Sequence, residues 1–134
     1  MEQYIKVSAG LIEKDGKFLI AKRPASKSFG GKWEFPGGKI EPEETPEQCL
    51  VREIKEEFGI DVEVKKPIHR WEFDYHRPDG RKFLFHSFLC SVVNGEPELK
   101  EHEDMRWVEA KELAACDLLE ADRELLPHIA LLAA

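Results

Sequence analysis

The sequence predicts an α/β fold with a mixed sheet, and three observations predict it. Segments of alternating apolar and polar residues lie both before and after one amphipathic helix. That helix carries its own start and stop signals, at Thr45-Pro46 and at Gly59. Turn sequences, Asp15-Gly16, Pro78-Asp79-Gly80 and Asn94-Gly95, cut the extended segments into antiparallel partners. At 134 residues, with 42% apolar residues, residues 1–134 are expected to form one domain around one core.

The elements follow in order. Tyr4 to Glu13 alternates Ile5, Val7, Ala9 and Leu11, then runs into Ile12, so its far end is expected to be buried on both faces. After the Asp15-Gly16 turn, Lys17 to Arg23 forms a second strand, which Pro24 ends. Ala25 to Lys32 is small, polar and Gly-rich, hence a loop, and Trp33-Glu34-Phe35 is a short extended piece. Gly37-Gly38-Lys39 is no Walker A loop, because Trp33 and Ile40 stand where Gly and Ser/Thr are required. Beyond the helix, Asp61 to Lys66 and then His69 to Tyr75 are extended, and Phe83 to Val93 returns antiparallel. Met105 to Val108 is a last short strand, Glu109 to Cys116 a short helix and Asp122 to Leu132 a closing one. Trp71, Phe73, Phe83, Phe85 and Phe88 are read as core.

The stretch from Gly38 to Ile60 organises the chain. The Thr45 hydroxyl can accept from a first-turn N–H, Pro46 suits the first helical position, and Gln48 completes a capping box. At ~100° per residue, Leu50, Val51, Ile54 and Phe58 form an apolar stripe. Glu53, Glu56 and Glu57 form an acidic stripe beside it, since residues three and four apart are neighbours. Clustered carboxylates repel one another unless a hard cation such as Mg²⁺ is held between them; the alternative is a solvated charged face. Cys49 borders this face, but no His or Cys at helical spacing joins it, so it reads as a small buried filler and not a zinc ligand.

The same stretch matches the pattern G-x5-E-x7-R-E-U-x-E-E-x-G-U, with U aliphatic, at Gly38, Glu44, Arg52, Glu53, Ile54, Glu56, Glu57, Gly59 and Ile60. This is the Nudix box, and with the approach Trp33-Glu34-Phe35-Pro36-Gly37-Gly38-Lys39 the chain resembles MutT-like Nudix hydrolases. The resemblance implies an α/β/α sandwich. It implies catalysis at Glu53, Glu56, Glu57, Arg52, Glu44 and Glu101, with Mg²⁺ or Mn²⁺ bound by the three helix glutamates, the carbonyl of Gly37 and Glu101. Glu101 earns its place by standing six residues before Trp107, with Glu103 as the alternate. Arg52 is expected to face away from the metal stripe and to orient carboxylates, with Glu44 and Glu56 as partners.

Substrate contacts are expected from Arg23 and Lys39 to phosphate and from Phe35, Phe29 and Asp122 to the base. A guanidinium suits a bidentate phosphate contact. Asp122 stands near where bacterial MutT uses an Asn, and an ionised Asp only accepts hydrogen bonds, whereas Asn also donates. That departure leaves purine and pyrimidine both open. The rival reading for Asp122 is a cap of the closing helix.

The net charge of −7 disfavours nucleic-acid polymers and anionic membranes, and it repels a polyanionic substrate unless cations intervene. Cys49, Cys90 and Cys116 have no paired spacing, and Met1-Glu2-Gln3-Tyr4 starts no leader, so a cytoplasmic, reduced protein is expected. The resulting expectation is a metal-dependent pyrophosphohydrolase, monomeric or homodimeric, releasing nucleoside monophosphate and pyrophosphate. Its first-choice substrate is 8-oxo-dGTP, in nucleotide-pool sanitation and DNA repair, and CTP, dCTP or a modified cytidine triphosphate is the alternative. A non-catalytic Nudix-fold binding module is the rival of another class; degenerate box glutamates would favour it, and here all are present.

Overall fold

The computed structural model describes residues 3–133; the ends of the expected 1–134 domain, including Met1 and Glu2 of the leader reading, lie outside the described residues. Among the described residues seven strands form one sheet: β1 (Tyr4–Lys14), β2 (Lys17–Lys22), β3 (Trp33–Glu34), β4 (Gly37–Lys39), β5 (Asp61–Phe73), β6 (Lys82–Asn94) and β7 (Asp104–Glu109). The order is β3-β2-β1-β6-β5, with β4 on β1 and β7 on β2. β1 and β6 run parallel while the other pairs are antiparallel, which makes the sheet mixed.

Helix α1 (Pro46–Phe58) covers one face, and α2 (Leu126–Ala133) with two 3-10 turns (Ala110–Ala115 and Ala121–Leu125) covers the other. Strand alternation sorts the core between them. Ile12 and Leu19 pack towards Leu50, Ile54 and Phe58 of α1, while their neighbours Leu11 and Ile20 pack towards Leu125 and Ile129. Each fully buried Leu, Ile or Phe contributes about 1.5–3 kcal/mol. The double burial expected at the end of β1 is present in this Leu11/Ile12 pair.

α1 starts and stops where the sequence places it. Gln48 donates its backbone N–H to Thr45 Oγ1 at 3.1 Å, and the Gln48 side chain accepts the Thr45 N–H at 2.9 Å. Gly59 ends the helix at φ 73°, in the left-handed region where glycine avoids the Cβ penalty.

Four expectations change. Val51 is 39% exposed and leaves the apolar stripe. The helix is rolled towards the flank opposite Val51, which buries Cys49 completely and brings Glu57 down to 8% exposure. The two extended pieces after α1 are one strand, β5, kept continuous through Pro67 by register shifts on the sheet edge. Gly37–Lys39, to which the sequence assigns no strand, is β4, because it pairs with Val7–Ala9 of β1. The closing helix is shorter than Asp122–Leu132: residues 121–125 form a 3-10 turn, and the α-helix begins at Leu126.

Candidate active site

The acidic face of α1 meets β4, β3 and the segment before β7. β4 lies close because glycines permit it: a Cβ at Gly37 would overlap the Ser8 carbonyl oxygen, and a Cβ at Gly38 would overlap the Glu53 carboxylate. The Cys49 thiol, buried and pushed up to about 12 chiefly by burial, donates to the Gly38 and Lys39 carbonyls at 3.5 and 3.3 Å. It is the small buried filler that the sequence suggests, and the structure adds that it ties α1 to β4.

Arg52 does not face away from the glutamates. Its Nε and Nη2 form a fork on Glu44 at 3.0 and 2.6 Å, while Nη1 reaches Glu53 at 2.9 Å and Glu56 at 3.3 Å. A long side chain can swing over its own helix towards β4, where Nη2 also donates to the Lys39 carbonyl at 3.3 Å. The guanidinium holds Glu44 down at about 2, helped by the Glu41 N–H. Glu53 goes the other way: burial raises it more than Arg52 lowers it, and Glu56 and Glu101 raise it further.

Glu57 is the most perturbed of the set. Burial pushes it up to about 9, the charges of Glu53, Glu34 and Glu101 add to this, and the Gly37 N–H opposes it. Its Oε1 is buried with no hydrogen-bond partner. A buried carboxylate surrounded by carboxylates, with one oxygen lacking a donor, is the environment a hard divalent cation satisfies. The residues therefore fit a divalent cation, although no three His, Cys, Asp or Glu among the described residues are drawn together into a finished ion cage. Glu101, exposed, contributes to the field at both Glu53 and Glu57. Glu103 instead pairs with Lys22 at 3.4 Å.

Arg23, at the end of β2, donates Nε to the Ser28 carbonyl at 2.7 Å and Nη1 to Glu34 Oε1 at 3.1 Å. Lys39 is exposed on β4. Phe35 is 4% exposed and joins the core on the α2 side. Phe29 is 50% exposed, with φ 57°, and its ring lies 4.8 Å from that of Tyr75.

Asp122 is neither the start of the closing helix nor its cap. It lies within the 3-10 turn, 5% exposed, and its Oδ2 accepts the Phe35 N–H at 2.9 Å. Burial pushes it up to about 8, with the Phe35 N–H opposing. Burial thus favours the protonated form, which can donate as well as accept, over the accept-only carboxylate that the sequence suggests.

Three residues escaped sequence reasoning. Glu34 bonds Arg23 and His102, His102 Nε2 lying 2.8 Å from Glu34 Oε2, and Tyr75 accepts the Ala121 N–H at 2.9 Å beside Asp122. Glu34 sat in plain view in the approach to the box, but His102 lies 68 residues away, and no spacing rule connects them.

The Nudix domain family model matches residues 4–129. The chain is 39% identical over 124 residues to a CTP pyrophosphohydrolase of Escherichia coli K12, covering 91% of this chain and 88% of the relative. It is 33% identical over 129 residues to an 8-oxo-dGTP diphosphatase of Haemophilus influenzae, covering 96% and 93%. The crystal structure of a MutT Nudix hydrolase from Burkholderia pseudomallei superposes with a TM-score of 0.80 at 28% identity, over 95% of this chain and 98% of that one. The sandwich, the complete box and these likenesses agree: the chain belongs to the Nudix hydrolase family.

Proposed function

We propose that this Nudix hydrolase is a divalent-metal-dependent nucleoside triphosphate pyrophosphohydrolase that releases nucleoside monophosphate and pyrophosphate. The observation that carries the reading is Glu57, buried, lacking a partner for Oε1 and facing three further acidic groups. Glu53, Glu56, Glu57 and Glu101, with the Gly37 carbonyl, would hold Mg²⁺ or Mn²⁺. The bound ion would neutralise phosphate charge and make water a better nucleophile. Arg52, itself locked on Glu44, fixes the carboxylate oxygens of Glu53 and Glu56. Arg23 and Lys39 bring positive charge to the triphosphate. Positioning and electrostatics then supply most of the rate gain, as in phosphoryl transfer generally.

At the base end, Phe29 and Tyr75 offer aromatic walls, and Asp122 offers one donor and one acceptor. That pair matches the O6 and N–H edge of an oxidised guanine, which supports 8-oxo-dGTP. The second reading, a cytidine triphosphate, is favoured by the 39% identity to the Escherichia coli relative of that name. Its amine and ring nitrogen also offer a donor and an acceptor. The test is a product screen over normal, oxidised and methylated nucleoside triphosphates with Mg²⁺ and with chelator, identifying both products. Monophosphate plus pyrophosphate, lost in chelator, is the expected result; nucleotide binding without turnover would favour the non-catalytic module.

A further inference from the structure

His102 has no role in the reaction as described, yet it is among the most confined polar side chains of the site. Its side chain is 6% exposed, and its ring stacks on Phe58, in the last turn of α1, at 5.3 Å and 12°. Its Nε2 meets Glu34 Oε2 at 2.8 Å, while Nδ1 is buried without a partner. The other oxygen of Glu34 takes Arg23 Nη1 at 3.1 Å, and Arg23 Nε continues to the Ser28 carbonyl at 2.7 Å. One line of contacts thus joins the catalytic helix, the segment carrying Glu101, β3, the end of β2 and the Gly-rich loop.

A carboxylate only accepts, so Nε2 carries the proton in the bond to Glu34. Nδ1 makes no bond of its own, so the contact with Glu34 is the one hydrogen bond seen for the ring among the described residues. A carboxylate held at one oxygen by a mobile arginine would turn with it. Held at the second oxygen by a ring wedged on Phe58, its plane is fixed. An arginine fixed in advance loses less rotamer freedom when it meets a ligand.

We infer that His102 is a positioning residue for the triphosphate. It fixes Glu34, Glu34 sets the guanidinium of Arg23, and the stack on Phe58 registers that guanidinium against the glutamates of α1. The inference rests on the pyrophosphohydrolase reading and deepens it.

His102→Phe keeps a ring against Phe58 and removes the donor; His102→Gln removes the ring and keeps a terminal N–H. His102→Phe should raise KM for the triphosphate about tenfold, the worth of a hydrogen bond to a charged group, and change kcat less. His102→Gln should recover most of that loss. If His102→Phe does not fold, Glu34→Gln carries the test: it should raise KM similarly, and adding His102→Gln should raise it no further. A readout without substrate is the Arg23 Nε–H proton, followed by NMR. It should exchange slowly in the wild type and fast in His102→Phe. Should the wild type hydrolyse no nucleoside triphosphate while this exchange difference is present, the functional reading falls and the positioning link stands. An active enzyme whose KM is unmoved by both His102→Phe and Glu34→Gln overturns the inference, as does identical Arg23 exchange in the wild type and His102→Phe. So does a loss confined to melting temperature.

Discussion

Glu57 and Asp122 are both buried carboxyls, and both are raised far above the ordinary carboxylate range, to about 9 and about 8. Each has a backbone N–H that opposes the rise, Gly37 at Glu57 and Phe35 at Asp122, so the difference lies in the other oxygen and in the neighbouring charges. Neither oxygen of Asp122 is among the buried atoms left without a partner, Oδ2 accepts the Phe35 N–H at 2.9 Å, and the charge of its acidic neighbour, Glu34, is opposed by that of Arg23. Glu57 has an oxygen with no partner and acidic neighbours at Glu53, Glu34 and Glu101. Burial is the largest cause in either place; at Glu57 the charges of three carboxylates add to it, which is a field that favours a cation. On the proposed function, the same residue chemistry would be a hydrogen-bonding tool at one end of the site and a metal position at the other.

The largest effect expected from this contrast is on rate. Glu57→Gln keeps the shape and removes the charge, so turnover with saturating nucleotide should fall at least ~10²-fold, because a metal-positioning group is lost. Glu56→Gln should behave alike. Asp122→Asn should cost far less, since an amide still accepts from Phe35. Equal losses at Glu57 and Asp122 would erase the distinction.

Metal-linked stability comes next. An ion that binds the folded chain stabilises it by about 2.7 kcal/mol at one hundred times its dissociation constant. Titrating Mg²⁺ into the wild type and Asp122→Asn should raise the unfolding midpoint in both, and Glu57→Gln should lose most of the gain. A Mg²⁺ response that survives in Glu57→Gln would move the ion away from this carboxyl.

The contrast was only half legible in the sequence. Glu53, Glu56 and Glu57 lie within one helix, so spacing alone placed them together, and the capping pair Thr45 and Gln48 fixed where that helix begins. How far each glutamate is buried was not legible, because it depends on the roll that exposes Val51 and sinks Glu57. Nor was the setting of Asp122, whose partner Phe35 is 87 residues distant. A 3-10 turn replaces the expected start of the closing helix there, so the cap rule had no helix end to act on. The bend of Arg52 over its own helix is likewise a tertiary fact, created by β4 and Glu44.

Substrate choice should respond at the other carboxyl. Asp122→Ala removes a donor and an acceptor near the base, so the ratio of kcat/KM between the preferred triphosphate and dGTP should change by ~1–3 kcal/mol. Glu57→Gln should lower all substrates alike. If the preferred substrate proves to be CTP, dCTP or a methylated cytosine nucleotide, the oxidised-guanine reading falls and the role of Asp122 is tested on the new pair. An unchanged ranking in Asp122→Ala would leave it a structural tie to Phe35 alone.

The gentlest test is the pH dependence of stability in chelator, where no ion complicates Glu57. Asp122 moves from an ordinary 3.8 to about 8 on folding. Its folded pKa is raised, so the native chain holds a proton that the unfolded chain has released. The contribution is fully present below about pH 4 and is lost as pH rises towards 8. At its steepest the loss is about 1.4 kcal/mol per pH unit, one proton's worth. Asp122→Asn cannot titrate there and keeps an acceptor for Phe35. Urea unfolding at intervals from pH 5 to 9 should therefore give curves that diverge, the wild type losing stability relative to Asp122→Asn as pH rises and the gap levelling off above 8. Glu57 titrates in both proteins and cancels in the difference. Parallel curves would mean that Asp122 is ionised throughout, and the buried carboxyl would then be an acceptor only, with no proton to offer a base.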